Sequence, residues 1–336
     1  MFDKVVIYAP KYQQRLLRKE IQKSSFRLHD PGNDFNFFRR IKRKIFRTPH
    51  THSYIFEGFY NAAEFLGYSN FWIENQSDLE EIADSKTLVF CEGSYIPDFK
   101  KGLNCKFVLH SIPTNLDNFS EFSESKKYLN LEVFKNEALN FEKIADLTYF
   151  NRENFTLYQP WATNLLPNQI LIGENIPNVE NKISYYIGML YGKGVTRAQA
   201  YNSLLKDSIV GTKIKCVTGA SHKTSQKLTM RSSICLDIRD DHHLEIGYIP
   251  CRIFKTLSYG RQIFVNSHYI KKYLSHIPSV KFFSDGKCLQ NQYDESLSFQ
   301  NSQTKENIEK RDFSLNYIKN NHTYVNRLKN IFSVFN

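Results

Sequence analysis

The chain has 336 residues, of which 41% are hydrophobic and 15% aromatic, and its formal net charge is +11. The composition excludes a disordered or fibrous chain, and the length implies two domains of about 150 residues each rather than one core. The charge points to an anionic partner: a nucleotide, a phospholipid surface or a nucleic acid.

The first half alternates short apolar runs with helical patterns. Strands are expected at "KVVIYA" (4–9), "NFWIE" (70–74), "TLVFCE" (87–92), "KFVLHS" (106–111) and "LTYFN" (147–151). They are nearly all apolar rather than alternating, which suits a buried parallel sheet. Between the first two runs, Ile55, Phe56, Phe59, Ala63 and Leu66 mark one helical face and Gly67 is a stop signal. From 158 to 181, three prolines and several Asn residues read as a connector with little regular structure. Strands resume at 183–190, 213–218, 233–238, 262–266 and 280–284, with helices fitting between them. The tail sets Tyr324, Val325, Leu328, Ile331 and Phe332 at helical spacing, an amphipathic terminal helix.

Cys91, Cys105, Cys216, Cys235, Cys251 and Cys288 are scattered and form no C-x-x-C pair. They fit a reducing compartment without structural zinc. The amino terminus reads as a strand rather than a secretion signal, and no apolar run approaches the ~18 residues that span a bilayer. The expected location is the cytoplasm.

"GYIPCRIFKTLSYGRQIFVNS" (247–267) follows a strand and a polar loop. Pro250 suits a helix start, Ile253, Phe254 and Leu257 its buried face, and Gly260 its end. The helix amino terminus then stands past the carboxyl end of a strand, the edge where open α/β sheets bind ligands. Free N–H groups and the positive dipole end favour a phosphate there. Arg252 and Lys255, three apart, are expected on one side of the first turn, facing either that phosphate or solvent.

The stretch resembles the donor-binding segment of GT-B glycosyltransferases, in particular the CgeB-like family. The likeness is carried by Pro250, Arg252, Phe254 and Gly260, the strand end Asn266–Ser267, and "HTYVNRLKNIF" with Arg327 and Leu328. It covers 247–335 well and the first half only in layout. It implies an α/β fold of two Rossmann-like domains facing each other across a cleft, the acceptor domain at 1–165 and the nucleotide-sugar domain at 166–319. A helix at 320–336 would cross back to the first domain. A UDP- or GDP-type sugar donor and a glycan or lipid-linked acceptor would be the substrates, with no metal required. Lys255 departs from the Glu that often meets the donor ribose, so it would face phosphate instead.

Further residues fit this frame. Gly188, in "YYIGMLYGKG", would let backbone approach a diphosphate. It does not belong to a G-x-G-x-x-G fingerprint, which disfavours a nicotinamide cofactor. The loop "DIRDDHHLEIGY" (237–248) offers Arg239 and Glu245 to ribose or sugar hydroxyls, with Tyr248 and Ile249 leading into the helix. Its spacing matches no standard metal motif. In the first half, His110 and Glu92 end strands, and Glu57 is expected to flank a first helical turn. If the reaction inverts, one of them would be the general base, His110 first and Glu57 second. The segment 36–50 carries Arg39, Arg40, Lys42, Arg43, Lys44 and Arg47 among Phe and Ile. It reads as a membrane-surface element or acceptor clamp, with peripheral attachment to the inner membrane face. The competing functions are a nucleic-acid- or membrane-surface-binding protein using that segment, and a GT-B-fold sugar epimerase.

Overall fold

The computed structural model describes residues 2–8, 51–73, 75–92, 103–110, 127–133, 140–173, 179, 183–188, 190, 204–205, 210, 213–217, 220 and 222–336. They divide into two compact units, one formed by Met1–Leu166 with Tyr324–Asn336 and the other by Pro167–Thr323.

In chain order the first unit contains β1 (Lys4–Tyr8), α1 (Thr51–Phe65), β2 (Ser69–Ile73), α2 (Gln76–Ile82), β3 (Thr87–Glu92), β4 (Lys106–His110), β5 (Tyr128–Glu132), β6 (Glu142–Ala145), β7 (Thr148–Asn151) and β8 (Thr156–Tyr158). Its sheet runs β2-β1-β3-β4-β5-β8-β7-β6 and is parallel from β2 to β8. The apolar runs fill its interior: Val5, Val6, Ile7, Leu88, Val89, Phe107 and Leu129 are fully enclosed. The expectation that 147–151 joins the parallel set is corrected, because β7 is antiparallel to both neighbours. Only Asp146–Leu147 and residues 152–155 connect β6, β7 and β8. Links that short close hairpins, whereas a parallel return needs a crossover of a dozen residues or more.

The second unit contains β9 (Ser184–Ile187), β10 (Ile214–Val217), α3 (His222–Arg231), β11 (Cys235–Asp237), α4 (Asp241–Glu245), α5 (Cys251–Ser258), β12 (Ile263–Val265), α6 (His268–Leu274), β13 (Val280–Phe282), α7 (Gly286–Asn301) and α8 (Lys305–Asn321). Its ladders, β10-β9 and β11-β12-β13, are all parallel. Serines join them: Ser233 N–H donates to Ile183 O at 3.0 Å, Tyr185 N–H donates to Ser232 Oγ at 2.9 Å, and the Ser184 and Ser233 hydroxyls lie 2.9 Å apart. A buried apolar cluster including Tyr186, Ile234, Leu236, Phe264, Leu289 and Tyr293 lies beneath this seam. Pro167–Gln169, in the expected connector, form a single 3-10 turn.

The last helix, α9 (Tyr324–Phe335), belongs to the first unit and packs on α1. The Phe59 ring lies 4.5 Å from Phe90 and 5.0 Å from Tyr324. Gly58 allows this approach, since a Cβ there would collide with the Tyr324 ring. Buried Arg327 donates its Nε to Pro160 O at 2.7 Å, which ties the helix to the chain leaving β8.

Candidate functional site

The carboxyl-terminal edge of β9, β11 and β12 collects most of the polar residues expected in the second unit. Asp237 ends β11 and is fully buried. Arg239 follows it onto the same edge and grips it in a fork, with Nε to Oδ2 at 2.8 Å and Nη2 to Oδ1 at 2.5 Å. Burial opposes the Arg239 charge, and the Asp237 carboxylate outweighs it, so the guanidinium pKa is raised above its ordinary value. Asn266 holds the backbone of Arg239 from both sides: its Oδ1 accepts from Arg239 N–H at 3.0 Å and its Nδ2 donates to Arg239 O at 3.1 Å.

Arg252 approaches the same carboxylate, its Nε 3.7 Å from Asp237 Oδ1. Its guanidinium carbon sits 3.7 Å above the Tyr186 ring, and it donates to Ile187 O at 2.8 Å and to Leu236 O at 3.4 Å. Those carbonyls belong to β9 and β11, so Arg252 bridges the seam between the two ladders. About a quarter of its side chain, 24%, remains exposed. Gly188 lies directly beside it with φ of 131°, and a Cβ there would stand 3.5 Å from Arg252 Nη2. Pro250 occupies the cap position of α5 and has no side chain able to accept from the first-turn N–H groups.

The other expected donor residues take different places. Lys255 falls in the last turn of α5 (Cys251–Ser258), three residues after Arg252 in the first. Ser267 caps α6, its hydroxyl accepting from Ile270 N–H at 3.2 Å. Ile249 is buried as a core side chain, and Glu245 is exposed at the end of α4. Tyr248 lies under Arg239, ring to guanidinium 5.2 Å, and 5.5 Å from the His243 ring. His243 Nδ1 contacts Asp240 Oδ1, and that oxygen also accepts from His243 N–H at 3.1 Å. Asp237 and Tyr186 complete the cluster. A carboxylate ending an apolar strand with Arg at the second position after it was the available signal for Asp237. Tyr186 looked like one more strand aromatic.

In the first unit, Glu92 and His110 are register partners at the carboxyl ends of β3 and β4. His110 is buried, with its ring edge-on to Trp161 at 4.6 Å. Its Nδ1 stands 3.2 Å from Leu131 O. A carbonyl only accepts, so Nδ1 carries the proton in this contact. The Glu92 side chain and the basic segment 39–47 lie outside the described residues. Glu57 does not flank the first turn of α1: the helix already begins at Thr51, which puts Glu57 in the second turn, where Asn61 Nδ2 donates to it at 3.4 Å. Glu132, unmarked in the sequence reading, ends β5 beside the His110 contact and accepts from Asn130 Nδ2 at 3.0 Å. Burial raises its pKa, against a smaller lowering by Asn130. Among the described residues no group of three His, Cys, Asp or Glu could hold a metal ion, and no helix is long and apolar enough to cross a membrane.

No family model and no curated protein matches the chain. Among solved structures, it is similar to AviGT4, a glycosyltransferase involved in avilamycin A biosynthesis, at 8% identity and a TM-score of 0.48, over 99% of this chain and 96% of that one. It is also similar to a glycosyltransferase from Rickettsia africae ESF-5, at 10% identity and a TM-score of 0.47, over 99% and 98% of the two chains. A third similarity is to the trehalose-6-phosphate synthase OtsA, at 11% identity and a TM-score of 0.44, over 98% of each chain.

Proposed function

We propose that the chain is a GT-B-type, metal-independent glycosyltransferase. It moves a sugar from a UDP- or GDP-type donor to a hydroxyl of a glycan or lipid-linked acceptor in surface polysaccharide synthesis. The observation that carries the reading is Arg252. Its guanidinium is seated on Tyr186, partly exposed, beside Gly188 and the uncapped start of α5 at the carboxyl-terminal edge of a parallel sheet. A nucleoside diphosphate leaving group needs cations and backbone donors in such a place. The sequence resemblance assigns the same segment to the donor.

In this reading the bond from the anomeric carbon to the diphosphate oxygen breaks as an acceptor oxygen attacks. The leaving charge develops against Arg252 and the α5 N–H groups. Arg239 is a positioning residue that keeps Asp237 neutralised and the loop after β11 in place. His110 is the base: its Nδ1–H is committed to Leu131 O, and Nε2 takes the acceptor proton. The basic segment 39–47 would attract an anionic leaflet, each cation contributing about 1 kcal/mol near the surface.

Titration of the full chain with UDP, GDP, CMP and their sugars tests the donor site. One nucleoside diphosphate is expected to bind and raise the melting temperature. Arg252→Lys, which keeps a donor for the seam carbonyls but loses the planar fork, should weaken that binding about 10-fold. His110→Ala should cut turnover by about 10²–10⁴ with donor affinity kept. Binding to polyanions alone, with steep salt dependence, would reject the enzyme in favour of a surface-binding protein.

A further inference from the structure

We infer that the second unit carries a binding site for an anionic carbohydrate, a polyhydroxylated ligand bearing a carboxylate or a phosphate, in a cavity along β13 that shares no residue with the Arg252 cluster. The cavity holds about 410 Å³, within the ~300–1,000 Å³ of small-ligand sites. Strand β13 ends its ladder among the described residues. Lys281 of β13, Lys271 of α6 and Glu295 and Ser296 of α7 line the cavity, with Gln262 just before β12.

Lys281 is the register partner of Phe264, and Gln262 stands two residues before Phe264, so the three share one face of the ladder. Phe264 clusters with Leu289 and Tyr293 of α7, which makes this the face that α7 covers. Gln262 is only 1% exposed, and its Oε1 accepts from Ser296 Oγ at 2.7 Å. Its Nε2 has no hydrogen-bond partner among the described residues. A buried amide donor calls for an acceptor, and the cavity is where one can enter. None of the ion pairs among the described residues involves Lys271, Lys281 or Glu295. Two ammonium groups and one carboxylate therefore line one cavity without pairing with each other. The excess of positive charge favours a net anion, while Glu295 repels an anion that has no donor to offer it. A hydroxyl resolves that conflict, because it donates to Glu295 and accepts from Gln262. A sugar with one carboxylate or phosphate supplies hydroxyls and charge together, and its C–H face can lie against the apolar Val280 and Phe282, which also line the cavity.

Equilibrium dialysis of the full chain against radiolabelled glucuronic acid and glucose 6-phosphate tests the site, at constant ionic strength and with UDP and GDP in excess to fill the donor site. Saturable binding of at least one acidic sugar is expected, with glucose and inorganic phosphate each bound about 10-fold or more weakly, since each lacks part of the contact set. Tighter binding of glucuronic acid would identify the anionic group as a carboxylate, and tighter binding of glucose 6-phosphate would identify it as a phosphate monoester. The double variant Lys271→Gln with Lys281→Gln breaks no ion pair seen among the described residues. It should weaken acidic-sugar binding about 10-fold or more and leave UDP binding unchanged. Equal affinity for inorganic phosphate overturns the inference, because hydroxyls would then contribute nothing. Absence of saturable binding of both acidic sugars to the wild type also overturns it, as does undiminished binding in the folded double variant. In those two cases the lysines serve only to keep the last strand of the ladder from pairing with another chain.

Discussion

Asp237→Asn removes the carboxylate shared by Arg239 and Arg252 while keeping the size of the side chain. Asp237 is fully buried and Arg239 nearly so, and the fork between them has both contacts at 2.8 Å or less. Removing one member of a buried pair costs about 3–5 kcal/mol, because the remaining charge stays in the interior. Both tryptophans, Trp72 and Trp161, belong to the first unit, so their fluorescence does not report the second. Amide hydrogen exchange of Phe264 and Val265, which pair with Leu236 and Asp237, does. The expected loss of protection is roughly a hundred-fold to a few thousand-fold, from the same 3–5 kcal/mol. The double variant Asp237→Leu with Arg239→Met, which leaves neither charge, should recover most of it. A loss below about 10-fold, or a double variant worse than the single one, would refute the account of Asp237 as the buried counter-charge of this edge.

Three further outcomes follow from named contacts. Gly188→Ala places a side chain at φ 131° against Tyr186 and Arg252. It should cost about 1–3 kcal/mol of stability and weaken diphosphate binding together, measured by exchange and titration. Gly58→Ala should destabilise the first unit by about 1–3 kcal/mol in a tryptophan-monitored urea melt, and Tyr324→Ala should lessen that penalty in the double variant. Glu132 has its pKa raised by burial, so the stability tied to its protonated form is present below the unfolded value of about 4.3 and is lost as pH rises through the folded value. Glu132→Gln should therefore melt with the wild type near pH 4 and above it at pH 7; the opposite order would show an ionised, stabilised carboxylate.

What the sequence revealed depended on whether burial was one-sided or complete. The enclosed strands β1, β3, β4, β11 and β12 each show as an apolar run, since both faces are covered. Strand β5, "YLNLE", was missed because Asn130 and Glu132 interrupt the run, and they do so because that part of the strand carries polar groups bonded to each other. Helices α7 and α8 were also passed over: their buried faces include Ser296, Gln300, Arg311 and Ser314, which carry no apolar periodicity. A period of 3.6 is visible only where burial is achieved with hydrocarbon.

The same limit governs the site. Spacing put Arg252 and Lys255 on one helix, with Arg252 in its first turn and Lys255 in its last, and Arg252 reaches the strand edge. Its role was read as a cation offered to a ligand, yet part of its donor set is spent on Ile187 O and Leu236 O. Those two roles are compatible because a guanidinium has five N–H groups in one plane, so carbonyls can occupy one side while another side meets phosphate. A lysine, with a single ammonium, cannot serve the seam and the ligand in the same geometry. If Arg252→Lys keeps the exchange protection of β11 and β12 but loses diphosphate affinity, the two functions of the residue are separable. If both fall together, the ligand contact depends on the seam being closed, and Arg252 acts chiefly by holding the edge in shape.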